Sequence, residues 1–209
     1  MKKIKSLTVI GTRPEAIKMA ILIKELDKTD FIINRLCLTG QHREMLDQVL
    51  EYFNLKSDYD LNIMKKNQSL EHITSRIIVG LRKILLDFKP DIVFVHGDTT
   101  TCFASALASF YQNIKVCHVE AGLRTNNIHR PFPEELNRNL VSKMAFLNFA
   151  PTEKNKNSLV KENINQNKIF VTGNTVIDSL LWTINRTKYF SSSGFESIKK
   201  LCSSDKKII

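Results

Sequence analysis

The sequence lacks the long hydrophobic segments that mark membrane and secreted proteins. No stretch of its 209 residues approaches the roughly 18–20 consecutive apolar positions that a transmembrane helix requires. The apolar run near the N-terminus, at residues 7–10, is shorter than the core of a signal peptide, which spans roughly 7–15 residues. We therefore expect a cytoplasmic protein that does not associate with membranes.

Cysteine and closely spaced metal ligands are scarce. The four cysteines are far apart and form no Cys-x-x-Cys pair, which excludes a small disulfide framework and the usual zinc sites. The five histidines form neither a His-x-His nor a His-Glu-x-x-His pattern, so the sequence predicts no metal site. We expect free, mostly buried thiols at Cys37, Cys102, Cys117 and Cys202.

Glycine-rich motifs are missing as well. The chain contains seven glycines, and none belongs to a Gly-x-Gly-x-x-Gly fingerprint, a P-loop or a nucleophile elbow around a serine. These absences argue against the usual nicotinamide enzymes, P-loop nucleotide hydrolases and serine hydrolases. No cofactor is predicted.

Long blocks of like charge do not occur, although the chain is basic overall. Lysine and arginine number 31 against 21 aspartate and glutamate residues, which gives a formal net charge of +10. The basic residues are scattered among acidic ones, as on a solvated surface. Nucleic-acid binding is therefore the weakest functional hypothesis, and it would show a steep dependence on salt.

Short apolar segments alternate with helical patterns along most of the chain. In the clearest helix, apolar side chains recur every three or four residues from Ile73 to Phe88, and Pro90 ends it. Apolar strands separated by helices indicate a parallel sheet covered on both faces, so we predict a doubly wound, Rossmann-like α/β fold. The predicted strands are 7–10, 33–38, 91–95, 115–119, 146–150 and 169–171, and the predicted helices are 13–28, 41–53, 73–88, 101–111, 134–144, 153–162 and 175–185.

Polar side chains follow the ends of the predicted strands, where open α/β sheets bind their ligands. After the first strand come Gly11 and Thr12, and then two cations, Arg13 and Lys18. The free N–H groups of a helix N-terminus and these positive charges suit a phosphate or diphosphate. An ordinary strand-to-helix turn with a surface arginine is the alternative for this segment.

Three carboxylates lie at comparable positions. Asp98 and Glu120 each follow a strongly apolar predicted strand, and Glu134 opens a predicted helix with Arg138 one turn later. Neighbouring carboxyl groups raise each other's pKa, so one can hold a proton while another stays ionised. That arrangement suits acid–base catalysis on a phosphate-bearing substrate. Helix capping by Asp98 or a threonine, and a capped helix start at Glu134, are the alternative explanations.

Six segments of the chain form a recognisable set. They are Gly-Thr-Arg-Pro-Glu-Ala-Ile-Lys-Met at 11–19, Gln-His-Arg-Glu-Met-Leu at 41–46, His-Gly-Asp-Thr-Thr-Thr at 96–101, His-Val-Glu-Ala-Gly-Leu-Arg-Thr at 118–125, Pro-Glu-Glu-Leu-Asn-Arg at 133–138 and Gly-Asn-Thr-Val-Ile-Asp at 173–178. Together they resemble the bacterial non-hydrolysing UDP-N-acetylglucosamine 2-epimerases, from residue 5 to about residue 186. The Gly-Asp-Thr-Thr-Thr and Pro-Glu-Glu motifs speak against a glycosyltransferase of similar fold.

The resemblance implies a reaction and assigns residues by position. It implies interconversion of UDP-N-acetylglucosamine (UDP-GlcNAc) and UDP-N-acetylmannosamine (UDP-ManNAc) for cell-surface polysaccharide precursors. In this family UDP leaves by anti elimination to 2-acetamidoglucal and adds back on the other face, without an added cofactor. The implied residues are Asp98, Glu120 and Glu134 for acid–base catalysis, Arg13 and Lys18 for contacts to the phosphates and sugar, and Gln41, Glu44 and Glu134 for a second, activating UDP-GlcNAc. His96 and Arg138 are added to the predicted substrate-binding residues from their places in the polar clusters, and a structural role is the alternative for His96.

The same resemblance implies a glycosyltransferase-B-like pair of Rossmann-like domains with the active site between them, and a homodimer. We expect residues 1–172 to form the N-terminal domain, and residues 173–209 to hold a linker helix and the incomplete start of a second domain. A polar break at 190–194 and the Lys-Lys-Ile-Ile ending favour a chain that stops as a strand begins, and a frayed tail is the alternative. We therefore expect little or no activity from this chain alone, and a truncated remnant that binds sugar nucleotides weakly is the alternative function.

Overall fold

The computed structural model describes residues 2–40, 44–65 and 68–187. Within these ranges seven strands form one sheet in which every neighbouring pair is parallel. The strands are β1 (Ile4–Ile10), β2 (Ile32–Leu38), β3 (Tyr59–Asp60), β4 (Ile92–His96), β5 (Lys115–Val119), β6 (Leu147–Ala150) and β7 (Ile169–Val171). The helices are α1 (Arg13–Lys28), α2 (Glu44–Tyr52), α3 (Leu70–Phe88), α4 (Thr100–Tyr111), α5 (Glu134–Met144), α6 (Glu153–Lys161) and α7 (Thr175–Thr187).

The predicted doubly wound parallel sheet is confirmed, with boundaries that differ by a few residues. The helix predicted at 41–53 is observed from Glu44, and its first three positions lie outside the described residues. Strand β3 was not predicted, because two residues are too few for a hydrophobic pattern. The short 3₁₀ turn at Gln166–Lys168 was also not predicted.

The two faces of the sheet are covered by different helices. Alternate side chains of β1 point to opposite cores, so Leu7 packs with α3 and α4 while Ile10 packs with α1 and α2. On the α3 face Ile77 and Leu81 are fully buried, and burying one such side chain contributes about 1.5–3 kcal/mol. The apolar periodicity of α3 thus corresponds to the face that it buries.

Helix α7 packs against α1 and α2. The Trp182 ring lies 5.0 Å from the Phe53 ring, centroid to centroid, and the Ser179 hydroxyl donates to the Ile17 carbonyl. The predicted division at residue 172 stays a prediction, and the predicted polar break and chain ending lie outside the described residues. Cys202 lies there too, whereas the thiols expected to be free and buried at Cys37, Cys102 and Cys117 are confirmed.

The strand order positions the candidate site. The sheet runs β3-β2-β1-β4-β5-β6-β7, so the chain reverses its direction of winding between β1 and β4. In open α/β sheets the crevice beyond the carboxyl ends of the strands at this point is where ligands bind. In the described part of the chain, no helix is long and apolar enough to cross a membrane.

Candidate functional site

The turn after β1 is held by a buried carboxylate. Thr12 is the N-cap of α1, and its hydroxyl accepts from the Glu15 N–H at 3.5 Å. Glu15 Oε2 in return accepts from the N–H groups of Gly11 at 2.7 Å and Thr12 at 2.8 Å. This capping box satisfies donors that the helix N-terminus would otherwise leave free. An anion at this turn would therefore rely on side chains, because Glu15 already occupies these two N–H groups.

Glu15 also joins this turn to the one after β4. The Thr99 hydroxyl donates to Glu15 Oε1 and, as the N-cap of α4, accepts from the Cys102 N–H at 3.0 Å. Of the two capping residues considered for this segment, Thr99 is therefore the one used. The Asp98 side chain does not cap the helix, and 27% of it is exposed at the crevice.

Glu120 lies directly beyond β5 with its backbone in the left-handed region, at φ +63°. A non-glycine residue held there costs about 1–3 kcal/mol, and surrounding contacts must compensate. Lys18 Nζ lies 2.7 Å from both carboxylate oxygens, and the Asn174 amide donates to Oε2 at 3.1 Å. His96 Nε2 lies 3.6 Å from Oε2, beyond hydrogen-bond distance, and is buried without a hydrogen-bond partner among the described residues.

These contacts keep Glu120 ionised. Burial alone would raise the pKa of its carboxyl group, but the facing His96 ring and the Lys18 ammonium lower that pKa to about 2. Glu120 is therefore a carboxylate near neutral pH and a weak proton acceptor. Its fixed charge is well suited to holding the Lys18 ammonium in the crevice.

Asp98 is held in place by α5. Arg138 Nη1 donates to Asp98 Oδ2 at 3.0 Å, and the Asn137 amide donates to the Asp98 carbonyl at 2.9 Å. Arg138 also donates to Glu135 through Nε and Nη2, while Glu135 accepts from the Thr125 N–H. Because Arg138 is 7% exposed and faces two carboxylates, it fixes the position of Asp98. Its contact with substrate stays a prediction.

The pKa of Asp98 is displaced in the opposite direction from that of Glu120. Burial raises the pKa of Asp98, and the negative charges of Glu120 and Glu134 raise it further. Together these effects exceed the lowering of the pKa by Arg138. Glu134 is half-buried at the start of α5, and no hydrogen bond or ion pair joins its side chain to the described residues. Neighbouring carboxyl groups with divergent pKa values can take different parts in proton transfer.

Arg13 lines a cavity of about 400 Å³ between α1, α2 and α7. Its side chain is exposed and has no ion-pair partner among the described residues. Apolar side chains of Val49, Phe53 and Leu180 form much of the cavity wall. Neither Lys18 nor the crevice carboxylates line this cavity. Among the described residues predicted to bind substrate, Arg13 is the one that lines it.

His118 is fully buried behind the crevice and supports the turn that carries Asp98. Its Nε2 lies 2.7 Å from the Gly97 carbonyl, and its Nδ1 lies 3.3 Å from the Ser142 hydroxyl. Because a carbonyl only accepts, the neutral ring carries its proton on Nε2. Burial lowers the pKa of His118 to about 4 against the opposing effect of its bond to Gly97.

We expect His118 to make the protein sensitive to acid. An unfolded chain protonates this residue with a pKa near 6.5, whereas the folded chain does so only near 4. The unfolded state therefore binds more protons between these pH values, so the free energy of unfolding decreases as pH falls from 6.5 towards 4. The expected loss is about 2 kcal/mol between about pH 7 and about pH 4.5, measured by urea unfolding at these two pH values.

The His118→Gln variant provides the control for this measurement. The glutamine amide can donate to the Gly97 carbonyl but does not titrate. We expect acid to destabilise this variant by about 2 kcal/mol less than the parent protein over the same pH interval. An equal loss in both proteins would contradict the assignment and would attribute the acid sensitivity to carboxyl groups.

The structure brings together much of the predicted site. Lys18, His96, Asp98 and Glu120 meet at the carboxyl ends of β4 and β5, and Glu134 is near enough to affect Asp98 electrostatically. Two residues predicted for the activating site are not tested. Gln41 lies outside the described residues, and Glu44 begins α2 but its side chain is not described. That second UDP-GlcNAc site stays a prediction.

Three supporting side chains were missed from the sequence. Glu15 had a visible signal, because Thr-x-x-Glu before an apolar helix is the capping-box signature. Asn174 precedes a predicted helix as many N-caps do, but its bond to Glu120 links residues 54 positions apart and has no local signature. Glu135 lies beside the predicted Glu134, and only the fold shows that its carboxylate faces Arg138.

Comparisons with known proteins agree with the motifs. A family model described as UDP-N-acetylglucosamine 2-epimerase matches residues 24–205. The UDP-N-acetylglucosamine 2-epimerase of Neisseria meningitidis serogroup A is 60% identical over 184 residues, which are 88% of this chain and 50% of that protein. The chain spans about half the length of the curated relatives it matches.

Solved structures agree with the fold. The crystal structure of UDP-GlcNAc 2-epimerase from Neisseria meningitidis bound to UDP-GlcNAc matches with a TM-score of 0.88 and 57% identity, over 95% of this chain and 52% of that chain. A lipopolysaccharide outer core galactosyltransferase matches with a TM-score of 0.59 at 12% identity, over 83% of this chain and 46% of that one, which shows a shared fold alone. The predicted N-terminal half of a glycosyltransferase-B-like fold is confirmed.

Proposed function

We propose that this chain, which belongs to the UDP-N-acetylglucosamine 2-epimerase family, supplies the acid–base half of an enzyme. That enzyme interconverts UDP-GlcNAc and UDP-ManNAc. The observation that carries the proposal is that Asp98, held by Arg138, and the Lys18–Glu120 ion pair meet in one crevice, with the pKa of Asp98 raised and that of Glu120 lowered. Epimerisation removes a weakly acidic proton from C2 and returns one to the opposite face. Positioned acid and base groups are needed for both steps.

Proton transfer is assigned to Asp98 and Glu134. The raised pKa of Asp98 brings this carboxyl group towards the range in which it can both accept and release a proton. Glu134 is near enough to raise the pKa of Asp98, and its side chain makes no hydrogen bond or ion pair with the described residues. Glu120, with its pKa lowered to about 2, instead stays ionised and holds Lys18 beside the reacting groups.

Lys18 and Arg13 are assigned to the departing diphosphate. Breaking the C1–O bond leaves the bonding electrons on UDP, so negative charge grows on the diphosphate as the sugar becomes the glycal. Lys18 is an ammonium at the crevice, with 26% of its side chain exposed, and Arg13 begins the same helix. Fixed positive charges near a leaving group lower the barrier to its departure. This reaction needs no redox or electrophilic cofactor, and none is proposed.

The curated relatives are about twice as long as this chain, so the remaining half of the crevice is proposed to come from the part of the family that it does not match. We expect the 209 residues by themselves to turn over UDP-GlcNAc little or not at all. A module that binds sugar nucleotides weakly is the second candidate function, favoured by the same difference in length. The homodimer and the cytoplasmic location stay predictions from the sequence.

Deuterium exchange at C2 tests the proposal. UDP-GlcNAc is incubated in heavy water with this chain alone and with a chimera, and the products are followed by NMR. The chimera joins residues 1–187 to the part of the Neisseria meningitidis relative that this chain does not match. We expect C2 deuteration and UDP-ManNAc from the chimera, and neither from the chain alone.

Two outcomes would contradict the proposal. A folded chimera without exchange, beside an active parent relative, would show that this half lacks competent acid–base residues and would favour the binding module. Exchange by the chain alone would show that the crevice is complete without the other half.

A further inference from the structure

Asn174 lies between the Glu120 carboxylate and the start of α7. Its Nδ2 donates to Glu120 Oε2 at 3.1 Å, and its Oδ1 accepts from the Val176 N–H at 3.0 Å. One short side chain therefore contacts a crevice carboxylate and caps a helix at the same time. Neither the motifs nor the comparisons assign it a role.

The two neighbours of Asn174 require the same orientation of its amide. The Val176 N–H can only donate, so it faces the amide oxygen. The ionised Glu120 can only accept, so it faces the amide nitrogen. An aspartate here would keep the cap but lose the donor, and a serine would keep a shorter cap without reaching the carboxylate.

Glu120 has one other side-chain hydrogen-bond partner among the described residues, the ammonium of Lys18. The backbone of Glu120 is in the left-handed region. The Lys18 ammonium that contacts its carboxylate is at the end of a long, flexible side chain. His96 is too far away for a hydrogen bond, at 3.6 Å. Among the described residues, Asn174 is the uncharged group that donates a hydrogen bond to this carboxylate.

Helix α7 also holds the other partner of the ion pair. The Ser179 hydroxyl donates to the carbonyl of Ile17, the residue directly before Lys18. Asn174 and Ser179 therefore attach one helix to both sides of the Lys18–Glu120 pair. The distance between α1 and Glu120 is thus fixed through α7 as well as through the sheet.

We propose that Asn174 is a positioning residue for the proposed epimerase site, holding the Glu120 carboxylate where Lys18 contacts both of its oxygens. The inference rests on the proposed function for its catalytic meaning. The contact itself can be tested without any activity.

The test is a carboxyl NMR titration of the full chain between about pH 4.5 and about pH 8. In the Asn174→Asp variant a second carboxylate lies about 3 Å from Glu120, and two carboxylates this close share one proton. We expect the Glu120 carboxyl signal of the variant to shift within this range as the pair of carboxyl groups titrates, and that of the parent protein to stay flat. Lys18, His96 and Asp98 also face Glu120. The Asp98 signal is followed in the same spectra, and the Lys18 and His96 side chains are followed in separate spectra over the same pH range.

Asn165→Asp is the matched control. Asn165 also caps a helical turn, accepting from the Asn167 N–H at 2.9 Å, but in the described part of the chain neither Lys18 nor Glu120 contacts it. We expect this variant to leave the Glu120 signal flat. A flat Glu120 signal in Asn174→Asp, or an equal titration in both variants, would overturn the proposed contact.

Asn174→Ser in the active chimera tests the catalytic meaning. We expect kcat to fall by about tenfold with little change in KM, because the cap is kept while the charged pair is no longer held in place. An unchanged kcat would overturn the positioning role even if the NMR contact is present. An inactive unsubstituted chimera would instead refute the proposed function, and the NMR result would still decide whether Asn174 holds Glu120.

Discussion

Replacing Asp98 by asparagine is expected to reduce turnover of the active chimera by about 10³-fold, since a positioned acid–base group contributes roughly 10²–10⁴-fold. Asparagine has nearly the same shape, and its amide oxygen can still accept from Arg138, which donates to Asp98 at 3.0 Å. It can no longer gain or lose a proton. Steady-state kinetics with UDP-GlcNAc should therefore show a loss in kcat with little change in KM.

Asp87→Asn is the control for this experiment. Asp87 lies exposed on α3, away from the crevice, and the same change of charge there should leave kcat within about twofold. Thermal unfolding of both variants checks that the fold is kept. Near-normal turnover by Asp98→Asn would refute its part in proton transfer, and an equal loss in Asp87→Asn would attribute the effect to net charge.

The groups around Asp98 and Glu120 explain why the effect is expected at Asp98. Among the described residues one cation contacts Asp98, namely Arg138, which Asp98 shares with Glu135. Glu120 has Lys18 on both oxygens and an amide besides. The less strongly compensated carboxyl group keeps its proton to higher pH, which is the property that a proton-transfer group needs.

The sequence predicted the layers of the fold well, because each layer has a local pattern. The apolar repeat from Ile73 to Phe88 appears as the buried face of α3, and the run at 92–95 is a central strand. The order of strands then explains why polar residues after β1, β4 and β5 meet in one crevice. The two-residue β3 lacked enough residues for such a pattern.

The partners within the site could not be predicted, because they are distant in the chain. Lys18 and Glu120 are 102 positions apart, and nothing local tells a cation that binds a phosphate from one already paired with a carboxylate. Arg138 illustrates the same limit. Its place in the polar cluster around Glu134 predicted a substrate-binding residue, and only the fold shows that it contacts Asp98 and Glu135.

The loop that carries Glu120 depends on a glycine that packs against the backbone of α6. A Cβ atom on Gly122 would lie 2.3 Å from the Asn155 carbonyl oxygen, and Gly122 has φ +91°. The Asn155 amide also donates to the Gly122 carbonyl at 3.3 Å. Because the opposing atom belongs to the backbone, no side-chain rotation can relieve the overlap.

Replacing Gly122 by alanine is expected to lower the free energy of unfolding by about 4 kcal/mol, from backbone strain and overlap together. The corresponding fall in Tm is about 12 °C, measured by circular dichroism on the full chain. Gly173 is the matched control, since it has φ +80° but no atom within 4 Å of the added Cβ. Gly173→Ala should cost only about 1 kcal/mol, from the backbone alone. Equal losses in the two variants would show that the close approach to α6 contributes nothing.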